Sequence, residues 1–169
     1  NINDSKWRHM MSYKPRNLPV FERVKEERSG GGLAKENLAL LVLNGADFEG
    51  SGQAVEAWGE EGKAVAIAKG IELSYKLPNF STDSLTVEVR LLPTHPVEGG
   101  QLRFGIALND DTIQEVSYKT QGRSEEWKQN VLRNQAIRIF KFSLDNLREN
   151  YLRLVALDEG VILDQVFLF

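Results

Sequence analysis

The sequence contains no cysteine, and this absence excludes several kinds of chemistry at once. Disulfide bonds, zinc sites with thiolate ligands and thiol nucleophiles all require cysteine. Only two histidines are present, His9 and His95, and they stand far apart in the sequence. A serine nucleophile needs a base held against it, and neither histidine belongs to a serine-centred elbow motif. The sequence therefore does not indicate nucleophilic catalysis.

Positive charge and long apolar runs are also scarce. Lysine and arginine total 21 against 24 aspartates and glutamates, so the net charge is −3, which argues against the basic surface of a nucleic-acid-binding protein. No apolar run approaches the roughly 20 residues of a membrane-spanning helix. We therefore expect neither nucleic acid nor a membrane among the partners. The chain begins at Asn1 rather than methionine, which we interpret as processing or trimming, compatible with earlier removal of a signal peptide.

Three consecutive glycines, at positions 30 to 32, mark the expected domain boundary. They lack the lysine and the strand–helix context of a phosphate-binding loop, and they are typical of a flexible linker. A chain of 169 residues suits one domain with an appended segment. We therefore predict a tail and linker over residues 1–33 and one folded domain over residues 34–169.

Alternating apolar and polar residues dominate the chain after the linker. The clearest example is Ser84–Asp111, in which two alternating segments flank the connection LPTHPVEGG. Eight or nine such strands, separated by short turns, predict an all-β fold, a β-sandwich or jelly roll. One short helix is expected over Ser124–Asn134, because Ser124 is a good N-cap and Glu125 and Glu126 suit the positive end of a helix. The inward face of the strand at 136–143 is ambiguous, since both of its faces carry apolar residues.

Pairs of carboxylates need separate consideration, because glycoside hydrolysis uses two. Each adjacent acidic pair falls in a predicted turn or in the first turn of the helix, where acids are favoured for local reasons. We interpret these pairs as solvated, and an independent hydrolase is the weakest hypothesis. No Asp-x-Asp-x-Asp run marks a calcium site, so we expect no cofactor, with calcium as an open alternative. The pairs are Glu60-Glu61, Asp110-Asp111, Glu125-Glu126 and Asp158-Glu159.

Sugar binding would require exposed aromatic rings that stack on pyranose faces beside polar groups. Trp58, next to a glycine-rich turn, is the first candidate, and Tyr75 and Tyr118 follow. The alternative for Trp58 is packing under a loop. Trp127 is better explained by packing of the helix on a sheet.

Several short motifs share their order along the chain with one enzyme family. Residues 6–11, KWRHMM, resemble a KWNHMM-type segment of glycoside hydrolase family 115, the xylan α-1,2-glucuronidases, in which it precedes a C-terminal β-sandwich domain. Leu92-Pro93-Thr94 and Gly100–Asp111 are similar to that domain's "PT…glr.avslDd" stretch. Trp127 and Val131 resemble its W-x3-V helix. Residues 157–164, LDEGVILD, are similar to its closing "DPGVVLDKI" strand.

Two segments depart from the family pattern. The residues after Met11 lack its aromatic-rich continuation, and Leu43–Phe48, LNGADF, stands where related domains carry an "IEAEH"-like strand. The second departure removes acidic side chains that would hold calcium. The catalytic parts of such enzymes lie in preceding domains, so the resemblance carries over no catalytic residue.

The resemblance implies a fold and a role. The fold is a β-sandwich of the galactose-binding or carbohydrate-binding-module type, with residues 1–33 as the end of the preceding domain. The role is a non-catalytic accessory one: interdomain packing or dimerisation, with weak xylan binding near Trp58. The implied partners are the preceding catalytic domains, xylan and a second copy of the chain, and the implied location is periplasmic or extracellular. The alternative is a purely structural protein–protein interaction domain without affinity for sugar.

Overall fold

The computed structural model describes residues 38–49, 63–97, 101–120, 122, 124–145 and 147–169, and the backbone of residues 55–58. These ranges contain ten strands and one α-helix, so the predicted all-β fold with one short helix is confirmed. The elements are β1 (Leu41–Asn44), β2 (Val55–Trp58), β3 (Ala64–Ile67), β4 (Glu72–Leu77), β5 (Ser84–Leu91), β6 (Leu102–Leu108), β7 (Gln114–Tyr118), α1 (Glu125–Arg133), β8 (Ala136–Ser143), β9 (Asn150–Ala156) and β10 (Val161–Leu168).

The strands form two antiparallel sheets. The six-stranded sheet has the order β2-β3-β10-β5-β8, with β1 paired to the second half of β10. The four-stranded sheet has the order β4-β9-β6-β7. The sandwich forms a compact unit from Ala39 to Phe169. The predicted boundary near residues 29–33 lies outside the described residues and stays a prediction.

The two alternating segments of Ser84–Asp111 are in different sheets. The apolar side chains of β5 and those of β6 are buried in the same core cluster, while the chain between them crosses from one sheet to the other. The hydroxyl of Thr94 donates to the carbonyl oxygen of Gly160 at 2.6 Å, which ties this crossing to the turn before β10. The core side chains contributed by these two strands are Leu85, Val87, Val89, Leu91, Leu102, Phe104, Ile106 and Leu108.

The ambiguous strand, β8, turns its phenylalanines inward. Phe140 and Phe142 are buried, whereas Ile139 is 61% exposed on the opposite face. Phe140 meets Phe104 of the other sheet in an edge-to-face contact with ring centroids 6.0 Å apart, a geometry that aromatic pairs prefer. Aromatic packing therefore selects the inner face of β8.

Arg138 joins the two sheets where the edge strands β7 and β8 approach each other. From β8 its guanidinium donates to the carbonyl oxygen of Ser117 in β7 at 2.9 and 3.1 Å, and it also pairs with Glu126 of α1. The helix begins after Ser124, whose hydroxyl accepts from the backbone N–H of Trp127 at 3.2 Å, as an N-cap should. No helix among the described residues is long and apolar enough to cross a membrane.

Candidate functional site

Tyr75 lies in the core and not at the surface. Its side chain is 0% exposed, and its hydroxyl donates to the carbonyl oxygen of Gly45 at 2.7 Å. Burial, with a smaller contribution from Asp47, raises the pKa of this phenol above its ordinary value. The ring therefore has no exposed face for a sugar, and the expectation of surface stacking at Tyr75 is corrected.

Tyr118 is buried in the same way. Its side chain is 0% exposed, and its ring meets Phe104 edge to face with centroids 6.2 Å apart. Burial raises the pKa of this phenol as well. The expectation of surface stacking at Tyr118 is corrected for the same reason: the residue lies on the inner side of its strand.

Trp58 is described only through its backbone. It ends β2, an edge strand of the six-stranded sheet, and pairs with Ala64 of β3. Its side chain lies outside what the structure describes, so its role in sugar binding stays a prediction. Glu60-Glu61, which follows it, also lies outside the described residues.

The acidic pairs in the described part of the chain are engaged in ion pairs or stand in an exposed turn. Arg103 donates to both carboxylate oxygens of Asp158, at 2.9 and 3.0 Å, and to Glu115 at 3.0 Å. Lys128 pairs with Glu125 at 3.2 Å, Arg138 pairs with Glu126, and Asp110-Asp111 are exposed in the turn after β6. Nor do the described residues contain a group of three or more His, Asp or Glu side chains that could hold a metal ion. The described region thus has no evident catalytic pair.

The Arg103–Asp158 ion pair should make the free energy of unfolding depend on pH. The hydrogen bonds from Arg103 hold the pKa of Asp158 below its usual range, which is about 3.9 in an unfolded chain. A carboxylate with a lowered folded pKa stabilises the protein above the unfolded pKa, and this contribution is lost as the pH falls through the folded pKa. Asp158→Asn should therefore lower the free energy of unfolding at pH 7 by up to about 1 kcal/mol, with a difference from the wild type that shrinks below about pH 4.

Urea denaturation between pH 2.5 and 7 measures this effect. Asp110→Asn, in the exposed turn, is the matched control and should follow the wild-type curve. A deficit for Asp158→Asn that is the same at every pH would contradict the assignment, because the lost contribution would then not depend on the carboxylate charge.

Tyr151 is an outward-facing aromatic residue that the sequence interpretation missed. In β9 the residues Leu152 and Leu154 are buried in the core, whereas Tyr151 and Arg153 alternate with them on the outer face and are partly exposed. The Tyr151 hydroxyl donates to Glu149 at 2.8 Å. The signal was present in the sequence as the alternation itself, since a tyrosine next to an inward leucine must face outward.

Next to β9 on this outer face, the surface over β6 is partly covered by Ile113. Ile113 lies over Gly105, where any side chain on the glycine would clash with it. The same position is bordered by Val155 of β9. Arg153 donates to the carbonyl oxygen of Asp111 at 3.0 Å and pairs with Glu72 at 3.2 Å, which holds the turn after β6 in place. Exposed polar side chains therefore lie on both sides of Ile113: those of β4 and β9, and the pair of Arg103 and Glu115 on β6 and β7.

Comparison with known proteins gives the family. The model of the glycosyl hydrolase family 115 C-terminal domain matches residues 32–168. The chain belongs to this family. The resemblance found in the sequence motifs is thereby confirmed, and the match includes every strand of the sandwich. No curated protein matched the chain.

The family 115 domain is similar to part of a much larger enzyme. That protein is described as "a novel family GH115 4-O-Methyl-alpha-glucuronidase, BtGH115A, with specificity for decorated arabinogalactans". The sequences are 46% identical, and the TM-score is 0.70 over 78% of this chain. The matched region is only 17% of the length of that enzyme.

Two carbohydrate-binding modules share the fold at low sequence identity. They are the C-terminal family 6 module of the laminarinase LamC from Zobellia galactanivorans, at 18% identity and a TM-score of 0.53 over 76% of this chain and 97% of the module, and the family 35 module of Abf62 from Cellvibrio japonicus, at 14% identity and a TM-score of 0.55 over 76% and 91%. The predicted sandwich of the carbohydrate-binding-module type is thus confirmed.

Proposed function

We propose that the family 115 domain is a non-catalytic accessory domain that supports the preceding domains of a glucuronidase and binds the polysaccharide weakly. The observation that carries this proposal is the use of the acidic side chains: in the described region, the candidate catalytic pairs serve as ion pairs or turn residues. A hydrolase of this class needs two free carboxyl groups about 5–9 Å apart. The carbohydrate-binding-module fold supports the binding part of the role.

The proposed ligand class is taken from the description of the similar enzyme and from the family. BtGH115A has specificity for decorated arabinogalactans by its description, and the wider family acts on xylan by the resemblance set out above. We therefore propose that this domain binds glucuronoxylan or a decorated arabinogalactan. We also propose a periplasmic or extracellular location, where such polysaccharides are found.

Trp58→Ala tests the binding site proposed from the sequence. We expect the wild-type chain to be retained on insoluble glucuronoxylan or slowed by arabinogalactan in affinity electrophoresis, and Trp58→Ala to abolish that retention, because the indole supplies the stacking surface. Ile139→Ala is the control, since β8 is the opposite edge strand of the same sheet and Ile139 is 61% exposed. Absence of retention in the wild type would remove the sugar-binding role altogether.

A second candidate role is purely structural, that of a protein–protein interaction domain. The observation in its favour is that Tyr75 and Tyr118, two of the three side chains named for sugar binding, are buried in the core. A domain with this role would show no sugar affinity, and sedimentation of the 169-residue chain would report whether it forms a homodimer.

A further inference from the structure

The side chain of Tyr151 is on the outer side of the four-stranded sheet, whereas the other aromatic side chains of this sheet are on its inner side. The four strands of this sheet contain four aromatic residues, and Tyr75, Phe104 and Tyr118 are buried in the core. Tyr151 is on the outer side of β9 and is partly exposed. An outward tyrosine offers an apolar ring and a polar tip at the same surface. This combination is suited to contact with a sugar ring.

A network of hydrogen bonds holds the hydroxyl of Tyr151. Lys76 of β4 stands directly opposite Tyr151 in the register of the two strands. Glu149 accepts from the Lys76 ammonium at 2.7 Å through one oxygen and from the Tyr151 hydroxyl at 2.8 Å through the other. A side chain that is already held in place loses little conformational freedom when a ligand binds. The hydrogen bond to Glu149 therefore limits the movement of the Tyr151 side chain before a ligand binds.

The same residues retain capacity for hydrogen bonding. Lys76 and Glu149 are 46% and 62% exposed. An ammonium has three N–H donors and a carboxylate has about four acceptor positions, so each has capacity beyond the bond they share. Donors and acceptors beside an aromatic ring are what the hydroxyl groups and the apolar face of a pyranose require.

Charge around Tyr151 distinguishes between neutral and acidic sugars. Along β4 and β9 the cations are Lys76 and Arg153, and the carboxylates are Glu49, Glu72 and Glu149. Glu49 reaches this region because its backbone N–H donates to the carbonyl oxygen of Ser74, two residues before Lys76 on β4, at 2.7 Å. Three negative charges against two positive ones disfavour a carboxylate ligand. A neutral ring fits this surface better than a glucuronic acid side group.

We propose that Tyr151, Lys76 and Glu149 form a contact site for one neutral pyranose ring of the polysaccharide. The inference rests on the proposed function, since it names the part of the ligand and the residues that take it. The site lies on the four-stranded sheet, whereas Trp58 lies on the six-stranded one. The two candidate sites can therefore be separated by mutation.

Titration of the 169-residue chain with three soluble probes tests the proposal. The probes are xylohexaose, β-1,6-galactotriose and glucuronate, and binding is followed by chemical-shift changes in NMR or by calorimetry. Tyr151→Ala should weaken binding of the neutral probe by at least about tenfold, because loss of a stacked ring is worth roughly that much in affinity. Tyr151→Phe keeps the ring and removes only its hydroxyl, so it should weaken binding by no more than about threefold. Ile139→Ala on the other sheet is the control and should bind like the wild type.

The possible results separate the Tyr151 site, the ligand class and the proposed function. Because Tyr151 faces outward, the melting temperature of Tyr151→Ala should stay close to that of the wild type, and the Phe variant separates loss of the ring from any loss of structure. Unchanged affinity in Tyr151→Ala, with loss in Trp58→Ala, would overturn this site and leave the proposed function standing. Tighter binding of glucuronate than of the neutral probes would overturn the ligand class. Failure of the wild type to bind any probe would count against the proposed function itself.

Discussion

Phe104→Ala should lower the free energy of unfolding by about 3–5 kcal/mol, as expected for removal of a buried phenylalanine. The ring is 1% exposed and contacts Tyr118 and Phe140 edge to face, with centroids 6.2 and 6.0 Å away. It thereby joins β6 and β7 of one sheet to β8 of the other. Its removal leaves a cavity and takes one edge-to-face contact from each of Tyr118 and Phe140. Urea denaturation followed by circular dichroism measures the loss.

Phe104→Leu is the matched control for this variant. Leucine keeps most of the apolar volume but cannot make the edge-to-face contacts, so its cost should be clearly smaller than that of alanine. Equal costs for the two substitutions would mean that filled volume contributes nothing at this position, and a cost below 1 kcal/mol for alanine would contradict the central role given to the ring.

Gly45→Ala should cost about 1–3 kcal/mol through overpacking. Gly45 begins a short 3-10 turn after β1, and a Cβ atom there would clash with the backbone carbonyl oxygen of Leu163 in β10. Backbone atoms of a central strand cannot move aside as a flexible side chain can. The carbonyl oxygen of Gly45 also accepts the hydroxyl of Tyr75, so a displaced turn weakens a hydrogen bond in the core. Thermal and urea denaturation both measure the effect.

Gly122→Ala separates this clash from backbone strain. Gly122 has a positive φ of 82°, but a Cβ atom there would have open space around it. Its cost should be near 1 kcal/mol, the usual penalty for a left-handed alanine. If Gly45→Ala proved no more destabilising than Gly122→Ala, close packing of the turn against β10 would not be what requires glycine.

Alternation in the sequence was sufficient to predict the strands, and also sufficient to predict which tyrosines are buried. Tyr75 alternates in phase with Leu73 and Leu77, so its position in the core was implicit in the pattern that identified the strand. Tyr75 was a sugar-binding candidate because it is aromatic, although its alternation with the two leucines already placed it on the inner face of the strand. Tyr151 alternates with Leu152 and Leu154 in β9, so its outward direction was implicit in the same kind of pattern.

Long-range pairing could not be predicted from the sequence. Arg103 and Asp158 are 55 positions apart, and nothing in the local pattern of either residue indicates the other. The pairing of β9 with β6 brings them together: Phe104 stands opposite Ala156, and the backbone N–H of Leu157 donates to the carbonyl oxygen of Arg103 at 3.1 Å. This pairing depends on the order of strands in the sheet. The sequence suggested solvated turns for the acidic pairs, but the arginine partners of Asp158 and Glu126 became visible only in three dimensions.

Ile113 limits how many sugar units can contact the outer face of the four-stranded sheet around Tyr151. Its side chain lies over Gly105, next to the polar surface of β4 and β9, two strands about 4.8 Å apart. That width suits one ring and not an extended oligosaccharide, so a ligand would be gripped at a single point and released quickly. A weak contact of this kind becomes effective when the domain is joined to an enzyme that binds the same polymer. Once one of the two is bound, the other meets the polymer at an effective concentration in the millimolar range. The domain would then act by avidity, holding a catalytic partner close to a polymer on which the same ring recurs many times.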